Sequence, residues 1–281
     1  MTTNHPTQSD SNQSTDTGQS STVMYISEEE FDKWTGLWKT TMSDSHSSLK
    51  DLFTDTVNKG RDYLQLGVGF KSQSILDFLS TVGLYTIFVR FGYDKEGSNK
   101  FKIILFGRDR QGNIVTPYMV GYPLYDTITN LIKDIDKYKD KLGEVPIPLA
   151  KKWIQNWKDM GRNASPAMFN ISNSNGNQAL QGYAYQMREL LNTLFMDEKT
   201  NEMYAILGLH QYPAREPSSV HRSSVAYTFG LLLLGIHNNK PPKPDNNETA
   251  PNRLTNHFIV EEELEVTAVY YDFSAPCPGT C

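Results

Sequence analysis

Cys277 and Cys281 are the only cysteines of the chain, and three residues separate them. That spacing suits a pair of zinc ligands, and four of the six histidines (His210, His221, His237 and His257) precede it in the second half of the chain. His210 is expected just after one strand and His237 just after its partner, where both would meet at one end of a hairpin. A Cys2His2 metal site can thus be drawn from Cys277, Cys281, His210 and His237, with zinc as the ion. Two plainer readings stand beside it. The histidines can be turn and surface residues next to a disordered tail, or the two thiols can close a disulfide over Pro278-Gly279. As a redox centre the pair lacks the helix N-terminus that usually lowers a thiol pKa. With two cysteines in 281 residues, a framework of structural disulfides is excluded.

Other chemistry-bearing groups are sparse. Arg90, Asp94, Arg108 and Asp109 fall near the ends of two consecutive strand-like segments. They can hold an anion, although cross-strand ion pairs are the expected use. No Gly-x-Ser-x-Gly elbow, Walker loop, His-Glu-x-x-His or dinucleotide fingerprint is present, and LGVGF at 66–70 is too short for a phosphate loop. Glu261–Glu263 and Glu265 read as a solvated strand edge. The expectation is therefore a chain that is not an enzyme and carries no catalytic or cofactor-binding residue. A net charge of −5 and a pI near 5.7 argue against a nucleic-acid partner. The longest apolar run, FGLLLLGI at 229–236, is far short of the ~20 residues of a membrane span. The opening MTTNHPTQSDSNQSTDTGQSS has no basic n-region and no apolar h-region, so a cytoplasmic location is expected.

The elements that position these residues are announced by the tryptophans. KWTGLWK (33–39) and KWIQNWK (152–158) hold all four, each as Lys-Trp-x-x-x-Trp-Lys. Four-residue spacing puts both indoles of a pair on one helix face, so Trp34, Trp38, Trp153 and Trp157 are read as core residues. Ser27 and Glu30 fit a capping box, and Phe31, Trp34, Leu37 and Trp38 continue the apolar face. Residues 48–58 read as a second helix and 63–70 as extended or a turn. Residues 75–82 read as a short helix, and 84–93 with 101–107 as an antiparallel hairpin. A third strand over 114–120 and a helix over 124–142 follow. Order then repeats. A Trp helix opens at Pro148, an Asn-rich loop (NISNSNGNQ) follows, and then come a helix over 185–195 and strands over 202–209 and 229–236. Four glycines mark corresponding turn positions at the strand ends: Gly92 with Gly208, and Gly107 with Gly235. The offset is 119 residues from Trp34 to Trp153, 116 from Gly92 to Gly208 and 128 from Gly107 to Gly235. The drift reflects an insertion around 211–228, where a small ligand is a further possibility.

The expected fold is α+β: two tandem copies of a helix-plus-antiparallel-sheet module, each burying its indole pair beneath its own small sheet. A disordered arm (1–22) precedes module 1 (23–145), module 2 (146–274) and a Cys-containing tail (275–281). A Pro- and Asn-rich connector (238–256) leads to an alternating strand over 257–273.

The order Trp helix, Ile75-Leu76-Asp77-Phe78-Leu79, Val89-Arg90-Phe91-Gly92-Tyr93-Asp94 and Gly107-Arg108-Asp109-Arg110-Gln111-Gly112-Asn113 carries a resemblance, as does the ending Tyr271-Asp272-Phe273-Ser274-x-Pro276-Cys277-Pro278-x-x-Cys281. It resembles a family of short, uncharacterised proteins common in Bacteroidota, which typically hold one such module and a Cys-Pro-x-x-Cys tail. The first copy matches well and the second poorly, and duplication departs from the pattern. The resemblance implies a bacterial cytoplasmic setting and transfers no catalytic residue. Two functions remain open at this point. One is a non-enzymatic structural, scaffold or interaction protein that self-assembles or binds a protein partner through strand edges. The other is a metal- or thiol-dependent protein using the C-terminal cysteines.

Overall fold

Ser27 opens the first helix as the sequence predicts. Its Oγ accepts from the Glu30 amide at 3.2 Å while its own amide donates to the Glu30 carboxylate at 3.0 Å. The computed structural model of the chain describes residues 24–44, 49–56, 62–97, 99–126, 145–173, 176–187, 191, 200–213, 225–237 and 275–278. Strand β1 (Met24–Ile26) leads into helix α1 (Glu28–Ser43). Next come β2 (Thr54–Thr56), β3 (Asp62–Lys71), α2 (Ser72–Leu79), β4 (Thr86–Tyr93), β5 (Phe101–Arg108), β6 (Tyr118–Val120) and β7 (Tyr122–Tyr125). After α3 (Ile147–Met160) the chain forms β8 (Asn170–Asn173), β9 (Gly176–Gln186), β10 (Thr200–Pro213), β11 (Val225–His237) and β12 (Ala275–Pro278).

These elements make an α+β architecture with two antiparallel sheets. One runs β1-β6-β5-β4-β9-β12, with β8 also on β9; the other runs β11-β10-β3-β2, with β7 also on β3. The inward faces of both sheets meet in one apolar cluster, to which alternate residues of β4 (Val89, Phe91), β5 (Phe101, Ile103, Leu105), β10 (Met203, Ala205, Leu207) and β11 (Phe229, Leu231, Leu233) contribute. Helix α1 covers the outward face of the first sheet, where Trp34 and Phe31 pack with Phe88, Ile104, Phe106 and Tyr118.

The sheets are not divided between the halves of the chain, which corrects the expectation of one sheet per module. β3 from the first half pairs with β10 from the second, Lys71 to Glu202 through Gly67 to Ile206. β9 from the second half pairs with β4 from the first, Gln186 to Thr86 through Gly182 to Arg90. Both exchanged strands then peel away at a glycine. A Cβ at Gly67 would collide with the Ala205 carbonyl oxygen, and one at Gly182, where φ is +148°, with that of Val89.

Several local expectations are also corrected. Among the described residues of the stretch 48–58, no α-helix forms. A single tight turn (Lys50–Leu52) aims Phe53 into the core, and Thr54–Thr56 then pair with β3. β-branched Thr54 and Thr56 suit that pairing better than a helix interior. The Asn-rich stretch is a hairpin, since β8 pairs with β9 in register from Asn170–Ala179 to Asn173–Gly176. β9 continues to Gln186, so Tyr185 lies on a strand with its ring in the core. The third strand is shorter than expected, and Tyr122–Tyr125 is strand rather than helix. The arm 1–22, the remainder of the expected 124–142 helix, most of the 211–228 insertion and the expected strand over 257–273 lie outside the described residues.

Candidate functional site

All four tryptophans are buried, and Trp38 and Trp157 have no exposed surface. Each of these two donates its indole N–H to a strand that has crossed from the other half: Trp38 to the Leu180 carbonyl at 2.8 Å, Trp157 to that of Gln65 at 2.9 Å. An unbonded N–H at such depth would cost about 1–3 kcal/mol, so these bonds fix where α1 and α3 sit. Around them the aromatic rings repeat in matched pairs. Trp38 meets Phe169 edge-on at 5.3 Å, and Trp157 meets Phe53 edge-on at 4.9 Å. Phe101 lies 5.4 Å from Trp38, and Phe229 lies 5.8 Å from Trp157. Phe53 and Phe169 stack on each other at 5.6 Å, where the two sets meet.

The outer indoles form two stations of polar character. Trp34 lies against Gly92 of β4 and Trp153 against Gly208 of β10; a Cβ at either glycine would come to 3.1 Å of the tryptophan Cβ. At the first station the Lys102 ammonium lies 5.5 Å from the Trp34 ring centroid and 3.7 Å from the Asp94 carboxylate. Burial lowers the Lys102 pKa, and Asp94 and Asp55 oppose the shift. At the second station the His210 imidazole stacks on Trp153 at 3.5 Å, in space left by Gly230. Burial pushes its pKa down to about 4, which keeps the ring neutral at pH 7.

Further polar clusters stand nearby. Tyr125 joins Asp55 (2.8 Å) and Asn99 (2.7 Å) through its hydroxyl, and Arg162 bonds Asp126 at 2.9 Å and the Asp62 carbonyl. On the second sheet Lys71 pairs with Glu202, to which the Tyr204 hydroxyl donates at 2.7 Å. Burial raises the pKa of Tyr122 and Tyr204 beside that carboxylate. A cleft of about 380 Å³ lies where the turn after α2 meets the turn after β5, lined by Val82, Tyr85, Arg110 and Val115 among others.

Of the metal ligands drawn from the sequence, His210 and His237 are not brought together. His210 lies inside β10 opposite Thr228, whereas His237 ends β11 opposite Thr200. The antiparallel register therefore sets them at opposite ends of the hairpin, roughly 30 Å apart at ~3.3 Å per residue. Cys277 belongs to β12, whose neighbours pair with Tyr183 and Leu180 of β9. Cys281 lies outside the described residues. Among the described residues no group of three His, Cys, Asp or Glu side chains is placed to hold a metal ion. The four marked glycines sit within strands rather than turns: Gly92 and Gly208 admit tryptophans, Gly107 admits Leu84, and Gly235 pairs with Met203.

Of the four charges on the first hairpin, Asp94 makes an ion pair across the two strands as expected, and Asp109 does not. Asp94 pairs with Lys102 and accepts the Glu96 and Gly97 amides. Asp109 closes its own turn, accepting the Gln111 amide at 2.9 Å and the Asn113 amide at 2.8 Å, with the Asn113 side chain at 3.0 Å. The Asn113 side chain, followed by these amides, holds its carboxyl below the usual range. The Gly-Arg-Asp-x-x-Gly-Asn motif is thus a self-capped turn. Lys102, Tyr125 and Asp55 went unnoticed in the sequence; the alternation of β5, with Lys102 among apolar neighbours, was the available signal.

No helix among the described residues is long and apolar enough to cross a membrane. No family model, curated protein or solved structure matches this chain.

Proposed function

We propose that this chain is a non-enzymatic scaffold or interaction protein, built by internal duplication of one α+β module whose copies exchange a strand. The matched pairs support the duplication. Trp34 and Trp38 correspond to Trp153 and Trp157, Gly67 to Gly182, and Phe53 to Phe169. The pairings of β3 with β2, β7 and β10 repeat in those of β9 with β8, β12 and β4. The partner is a second copy of the chain or another protein, engaged through strand edges in the cytoplasm, with nucleic acid disfavoured by the acidic balance.

The observation that carries the assembly reading is that strands ending the two sheets, including β1 and β11, leave one edge unpaired among the described residues. Among the described residues β1 pairs with β6 alone and β11 with β10 alone. β1 also presents Met24 and Tyr25 at 45% and 53% exposure. An edge with open backbone groups and apolar side chains is a template for another strand. Size-exclusion chromatography with light scattering, followed by affinity capture from lysate, tests this. A dimer or a captured partner weakened by Tyr25→Pro is expected; a strict monomer that captures nothing overturns the proposal.

A further inference from the structure

On the outward face of the first sheet two arginines flank an aromatic shelf. Arg90 pairs with Ile104, Phe88 with Phe106, and Thr86 with Arg108, so Arg90, Phe88, Phe106 and Arg108 share that face. Phe88 and Phe106 stack at 5.1 Å, and the Arg108 guanidinium lies 5.1 and 5.6 Å from their centroids. The two acids nearest in sequence are committed elsewhere: Asp94 to Lys102 and Asp109 to its own turn. Glu28 and Asp32 of α1 approach Tyr118 at the rim, yet Arg108 forms no ion pair among the described residues. Its Nε is buried without a hydrogen-bond partner, although the residue as a whole is partly exposed. A buried guanidinium N–H left unbonded is costly and calls for an acceptor.

We propose that Arg108, with Arg90 on the same face, forms an anion-binding site that takes a carboxylate or phosphate group at the partly exposed Arg108 side chain, above the buried Phe88–Phe106 pair. Guanidinium geometry suits both groups, since parallel N–H donors match two oxygens of either. Two like charges on one half-buried face are also mutually unfavourable. After burial, repulsion by Arg108 is what lowers the Arg90 pKa.

NMR of the arginine Nε–Hε groups in the full chain tests the site, with the Arg108 signal assigned by its loss in Arg108→Lys. Sodium phosphate and a capped hexaglutamate peptide are titrated separately against sodium chloride at matched ionic strength. The expected result is a saturable shift of the Arg108 signal with one or both anions and none with chloride. Phosphate alone identifies phosphate as the ligand, the peptide alone a protein carboxylate, and both the shared oxyanion chemistry. Backbone amide shifts of Phe88 and Phe106 follow the same titration in Arg108→Lys and Arg90→Lys, where affinity is expected to fall about tenfold. No shift at about 20 mM of either anion, a shift equal to that with chloride, or unchanged affinity in both lysine variants overturns the proposal.

Discussion

The stations at Trp34 and Trp153 share a frame and differ in what fills it. In each, an indole lies on a strand glycine, and a polar group sits against the ring. The first fills the space with two side chains, Lys102 and Asp94, drawn from neighbouring strands. The second uses one imidazole, and the position facing it is Gly230 because a larger residue would displace the ring. The difference teaches that backbone approach fixes the frame, while the contents are interchangeable if volume and polarity balance. An ion pair keeps its charge at neutral pH, whereas a buried imidazole stays neutral and becomes sensitive to acid.

That comparison can be broken or sharpened experimentally. The largest effects belong to the inner indoles. Trp38→Ala and Trp157→Ala should each lose about 3–5 kcal/mol in urea unfolding, and matched losses are expected if the halves are equivalent. A loss at one position below about 1 kcal/mol would break the equivalence. Next come the crossing points. Gly182→Ala and Gly67→Ala should each cost about 2–3 kcal/mol by the same measurement, with Gly182 the worse because its φ of +148° disfavours any side chain.

The stations themselves separate by pH. His210 has a folded pKa near 4, below the ordinary ~6.5, so it binds fewer protons folded than unfolded between those values. Its stabilising contribution is complete above pH 6.5 and is lost as pH falls toward 4. Between pH 7 and 4.5 the native chain should lose about 2 kcal/mol more than His210→Gln, after discounting for partial exposure of the ring. Parallel urea midpoints for both proteins check this. The smallest effect is Lys102→Met, about 1 kcal/mol or less, because Asp94 keeps its two amide donors. A loss above about 3 kcal/mol would show that the ion pair, not the indole, organises the first station.

Much of this was legible in the chain. The capping box at Ser27, the 3–4 spacing of Phe31, Trp34 and Trp38, and the alternation along 86–93 and 101–108 are local signals, and each produced its element. What escaped was non-local. Nothing within β3 or β9 names its partner, because the strand each one pairs with lies in the other half of the chain. NISNSNGNQ looked like loop because its side chains are polar, yet its backbone pairs along β9 all the same. Thr54–Thr56 hid behind helix-like neighbours until Phe53 claimed the core. At the candidate site, His210 and His237 each follow an apolar run, but the two runs are antiparallel, so the residues that follow them fall at opposite ends of the hairpin.

The strand exchange has a consequence for synthesis. Thr86 must wait for Gln186, and Lys71 for Glu202, so neither hairpin acquires its flanking strand until more than 100 further residues have been made, including the ribosome's own lag. At about 5–20 residues per second that is roughly 5–25 s during which a half-built sheet faces solvent. Until the second half emerges, the long edges of β3 and β4 have no strand from that half to cover them.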